Sequence, residues 1–258
     1  MLLRWILTGG LLISASSCAV LVDMPSNRFL TSETPGDTGK LQLDVRAIGV
    51  QEAEIIDDVT SSSPDTTPVI RENSVFGVGA ELALHHLISV YGYTGVDTPA
   101  YIGAKIQLIG APEERASQGN FSVAIAGAMA FGDDDEATTS GDITADTSVD
   151  YSGYEAAVLI GYRMRESALI YFGPYISETN AEARNTRTES GSETLTEVEG
   201  EGTNQGVTLG LKFGRSNAIY FQIEAAYSKA QWTRTTAPEV ETEENEEVNI
   251  GAAIGISI

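Results

Sequence analysis

The sequence predicts an all-β protein: a transmembrane, antiparallel, up-and-down β-barrel of about ten strands, with eight or twelve as the neighbouring counts. Three observations carry this. Apolar residues alternate with small or polar ones from residue 40 to the C-terminus. The second face of these segments is mostly Gly, Ala and Ser. Short turns and long acidic connections take turns along the chain. Period-two alternation over about ten residues marks strands with two unlike faces. A solvated outer face would be rich in Lys, Glu and Thr. Small side chains suit the concave side of a narrow barrel, and a large apolar residue at every second position suits hydrocarbon outside.

The strands follow in order. Leu41, Leu43, Val45 and Ala47 alternate with Gln42, Asp44 and Arg46 in a strand over 40–56. The 75–94 segment is too long for one strand and shifts register at His85-His86, so it divides into 75–84 and 87–94. Further strands cover 99–110, 119–132, 150–164, 168–178, 203–214, 218–232 and 247–258. Tight turns fall at Arg165-Glu166-Ser167 and Arg215-Ser216-Asn217, and long loops at 133–149, 179–202 and 233–246. Ten strands close a barrel with both termini on one side. Tyr91, Tyr93, Tyr101, Phe131, Tyr151, Tyr162, Phe172, Tyr175, Phe213, Tyr220 and Trp232 gather near strand ends, as interfacial girdles do.

The chain has 258 residues with a net charge of −22. That balance excludes a nucleic-acid binder, which needs a basic face. One Cys excludes a disulfide framework. The charge is segregated. Alternation turns Asp44, Arg46, Glu81, Lys105, Glu155, Arg163, Lys212 and Glu224 inward, four acids and four bases. Isolated charges in a confined lumen are costly, so these are expected to form an ion-pair network that plugs the barrel. The other reading is a polar path, making the chain a narrow cation-favouring channel or a small-solute transporter. With their flanking residues (133–150, 178–203 and 233–247) the three loops hold 20 of the 37 acids and read as solvated, mutually repelling segments. Asp133, Asp134, Asp135 and Glu136 are weak candidates for divalent cations, bridging to lipopolysaccharide phosphates, although their spacing matches no calcium loop. No nucleophile elbow, HExxH, Walker loop or dinucleotide fingerprint occurs, and His85-His86 falls at a turn. Neither enzyme activity nor a cofactor is expected.

Residues 1–17, with Arg4 before an apolar run and small residues after it, read as a signal peptide too short to span a membrane. Cys18 follows Ala15-Ser16-Ser17, an arrangement that resembles a bacterial lipoprotein lipobox. The resemblance implies acylation of Cys18, and Ala19 after it implies outer-membrane sorting. Cleavage after Ala19 is the competing reading. Residues 18–39, with Pro25, Pro35, Gly36 and Gly39, read as a periplasmic linker. From 40 to 258 the pattern resembles a small bacterial outer-membrane β-barrel protein, and Ile254, Ile256 and Ile258 resemble its C-terminal assembly signal. The resemblance implies the outer membrane as location, periplasmic barrel termini, and outer-membrane lipid, lipopolysaccharide and the assembly machinery as partners. A soluble, lipid-tethered periplasmic barrel is the remaining alternative.

Overall fold

An alternating strand puts one set of side chains on each face, and the computed structural model places the apolar set outside. It describes residues 19–62, 68–96, 98–215, 218–236 and 239–258; the leader at 1–17 and the Cys18 acylation site lie outside the described residues. The strands are β1 (Val20–Pro25), β2 (Leu41–Ile56), β3 (Ile70–His85), β4 (Ile88–Gly95), β5 (Ala100–Ile109) and β6 (Phe121–Ser140). They continue with β7 (Ile143–Arg165), β8 (Ala168–Glu189), β9 (Ser192–Phe213), β10 (Ile219–Thr236) and β11 (Glu239–Ser257). From β2 to β11 each strand pairs antiparallel with the next, and β11 returns to β2 from Ala252↔Ala47 to Ser257↔Gln42, closing a ring of ten. The division at His85-His86 holds, since β3 ends at His85 and β4 starts at Ile88.

Leu41 and Ile258 exchange backbone hydrogen bonds of 3.1 and 2.8 Å at the end where the short turns lie, the turn end. The outer wall is an apolar belt that includes Leu43, Val45, Ile102, Ile125, Leu209 and Ile254; Phe76 and Met129 are 72% and 71% exposed.

Three expectations are overturned. The acidic stretches at 133–149, 179–202 and 233–246 are strand rather than loop over nearly all their described residues, because alternation continues through them. Ala145, Thr147 and Val149 are buried while Asp146 and Asp150 are exposed, and Ala181 and Ala183 flank the exposed Glu182. Hairpin β6–β7 turns at Gly141 (φ +63°), and β8–β9 at Ser190 (φ +51°) and Gly191 (φ +81°), the left-handed pair a two-residue hairpin turn requires. A spanning strand needs about 9–11 residues, whereas β7 has 23, so the walls stand far above the belt at this hairpin end.

The aromatic residues do not all form girdles. Phe131, Tyr162, Phe172 and Phe213 face out, but Tyr91, Tyr93, Tyr101, Tyr175, Tyr220 and Trp232 are buried inside.

The stretch read as a periplasmic linker is the filling of the ring. Every residue from 22 to 36 is buried. β1, which alternation did not reveal, pairs with the upper half of β2 from Val20↔Ile56 to Pro25↔Val50. It therefore starts at the hairpin end, and residues 26–36 descend to the turn end, where Asp37 meets Arg115. At the hairpin end β1 and β2 pack against the extended strands in a core containing Val22, Met24, Ile55, Val149, Val198 and Trp232.

Candidate functional site

Residues 19–36, the strap, meet the inward charges one after another. All eight residues expected in the lumen are there, but only two pairs form among them. Arg46 Nε donates to Asp44 Oδ1 at 2.6 Å, and Tyr220 Oη donates to Asp44 Oδ2 at 3.0 Å. Lys105 Nζ lies 2.7 Å from Glu81 Oε1, which also accepts from Ser89 Oγ at 2.6 Å. The other four find partners that alternation could not supply.

Glu155 is matched by Arg28 of the strap, with Nε 3.2 Å from Oε2, and accepts from Tyr91 Oη and Tyr93 Oη at 3.2 and 2.9 Å. The Arg28 guanidinium also lies 3.4 Å above the Tyr175 ring. Glu224 faces no cation directly. It accepts the consecutive backbone N–H groups of Arg28 (2.7 Å) and Phe29 (3.2 Å), together with Tyr171 Oη at 2.8 Å. Aiming two successive N–H groups at one anion makes a small backbone nest. Phe29 accordingly sits at φ +55°, a conformation uncommon for a bulky side chain.

Arg163 pairs with Glu33 of the strap, whose other contact is Asn120 Nδ2 at 2.8 Å. Lys105 Nζ also donates to the carbonyls of Thr31 and Glu33, at 3.0 and 2.8 Å. Lys212 Nζ donates to Glu113 Oε2 at 2.7 Å and Gln42 Oε1 at 2.9 Å, because the β5–β6 connection tucks Glu113 into the turn end. Just outside the ring, the Arg115 guanidinium holds the exposed Asp37 carboxyl below the usual carboxylate range.

Charges removed from water persist only when paired and hydrogen-bonded, and the strap supplies what the wall lacks. The void left beside Phe29, Arg46 and Tyr93 is about 10 Å³, no more than one water can occupy. Arg28, Glu33 and Glu113 went unnoticed in the sequence because they sit in aperiodic stretches. The legible hint was Val20-Leu21-Val22 and Phe29-Leu30, too apolar for an exposed linker.

The weak cation candidates do not come together. Asp133, Asp134, Asp135 and Glu136 follow one another on β6, where successive side chains point to opposite faces. Among the described residues no group of three or more His, Cys, Asp or Glu is placed to hold a metal ion. His85 and His86 lie at the β3–β4 turn with ring centroids 3.9 Å apart.

No family's sequence pattern matches the chain, and no curated protein matches it in sequence. Among solved structures, the crystal structure of the ferric yersiniabactin uptake receptor FyuA from Yersinia pestis is similar at a TM-score of 0.31 and 9% identity, over 85% of this chain and 44% of that one. The chain thus spans less than half the length of that receptor, and a likeness at this level says nothing about what the chain binds.

Proposed function

We propose that the chain is an outer-membrane β-barrel protein whose lumen is sealed by its own N-terminal strap, with its acidic hairpins at the cell surface in a structural or interaction role. The single observation behind this reading is the burial of residues 22–36 inside the ring, with Arg28 and Glu33 on lumen charges. The outward apolar belt supports the membrane location. A lipid on Cys18 rests on the sequence pattern alone.

Planar-bilayer recording tests the sealing. The intact protein is expected to show no stable conductance. A variant lacking residues 19–36 is expected to conduct with a preference for cations, because Glu155 and Glu224 lose their strap partners while only Arg163 is left over among the bases. Large stable conductance by the intact protein would overturn the sealed reading in favour of a narrow channel.

A further inference from the structure

Above the belt the wall is uneven. β4 and β5 stop at Gly95 and Ala100, whereas β3 starts higher, at Ile70, and β6 runs on to Ser140. Pairing of β3 with β4 ends at Gly77↔Gly95, and pairing of β5 with β6 ends at Ala100↔Phe131. Among the described residues two strand edges therefore lack a partner, 70–75 of β3 and 132–140 of β6. A cavity of about 410 Å³ lies between them, lined among others by the apolar Val20, Phe76 and Val96 and by the acidic Glu52, Asp134 and Glu136. Among the described residues no Lys or Arg lines it.

A bare edge presents unpaired N–H and C=O groups that template another strand. The β6 edge has a definite chemistry. Asp134 and Glu136 lie opposite the buried Val149 and Thr147, so they face the cavity, while Asp133 and Asp135 face outward. A strand laid beside β6 meets carboxylates on both of its faces, and its inner face also meets Val20 and Val149. A second copy of this chain would bring a like-charged edge, which repels. We propose that this opening docks an extended, basic segment of another protein, which adds to β6 as a further strand with alternating apolar and Lys or Arg side chains.

The test uses the intact protein in detergent and a nine-residue end-capped peptide of alternating Lys and Val, followed by fluorescence anisotropy and amide hydrogen exchange. The peptide is expected to bind and to slow exchange at residues 132–140. The same peptide carrying Pro at its fifth position is expected to bind at least about tenfold more weakly, since Pro cannot complete the ladder. A double variant, Asp134→Lys with Glu136→Lys, is expected to lose at least about tenfold in affinity for the Lys-Val peptide. Both positions are exposed, and the peptide series on the unaltered protein decides the matter even if that variant folds poorly. Absence of binding, equal binding of the Pro peptide, or unchanged exchange at 132–140 overturns the proposal; the acids then only keep the edge from pairing. Peptide binding is read independently of conductance, so this site and the sealing of the lumen fail separately.

Discussion

Arg163 is 1% exposed, its guanidinium closes on the Glu33 carboxylate, and its Nη1 donates to the Glu166 carbonyl at 2.7 Å. Removing one member of such a pair strands the other as a buried charge, which costs about 3–5 kcal/mol, whereas replacing both with apolar residues is often close to neutral. Arg163→Ala is therefore expected to lower stability by that amount, and Glu33→Leu with Arg163→Met to lose much less. Urea unfolding in detergent measures both, and a loss below about 1 kcal/mol for the single variant counts against a desolvated pair. Arg163 was legible in the sequence, because alternation along 154–163 fixes which side chains point inward. Glu33 was not, because its position follows from the path of an aperiodic segment with partners as far away as Glu224. Periodicity reports the face of a strand and carries no information about what enters the space that the strands enclose.

At the scale of elements, the extended hairpins explain why acidic runs were read as loops. Charges at every second position, as at Glu197, Glu199 and Glu201, leave a strand with one wet face and one covered face. The pairing sets four carboxylates in one row across four strands: Asp133↔Asp150, Asp150↔Glu182 and Glu182↔Glu199. Like charges directly opposite each other destabilise a sheet by roughly 0.2–1 kcal/mol per pair. Glu182→Lys turns two repulsive neighbours into attractive ones, and is expected to raise the melting temperature at low salt, with the gain shrinking as salt is added. A fall in melting temperature at low salt would contradict this arrangement. The hairpins persist despite that repulsion because their inner faces are packed. Trp232 is fully buried opposite Gly202, and a Cβ on Gly200 would lie 2.1 Å from the indole, so both glycines are room made for one ring.

For the whole molecule, the charge of −22 and the apolar belt occupy different heights. The ring's inner charges are ion-paired or, at Glu224, hydrogen-bonded, its outer belt is uncharged, and much of the excess acid stands on the hairpin walls. The belt is a property of the ring and does not depend on any tether. A Cys18→Ser variant is therefore expected to require detergent for extraction and to migrate differently on gels before and after boiling. Release of this variant into detergent-free buffer would favour a soluble tethered barrel. The ten-stranded count and the outward apolar face were legible from alternation and turn spacing. The filled interior was not, since it depends on contacts between residues some 200 positions apart, such as Ser26 with Glu247.

The strap's path also restricts the order of assembly. It runs from the hairpin end to the turn end, buried from residue 22 to residue 36, and its partners are distributed over strands far along the sequence. Only the six-residue seam between β2 and β11 joins the first strand of the wall to the last. The polypeptide must therefore be laid across the open sheet before that seam zips, since threading it afterwards would drag Arg28 and Glu33 through a passage with no free width. Closure of the seam therefore comes after the strap is in place. The last strand of the ring closes the cylinder around a segment that precedes all ten of its strands in the sequence.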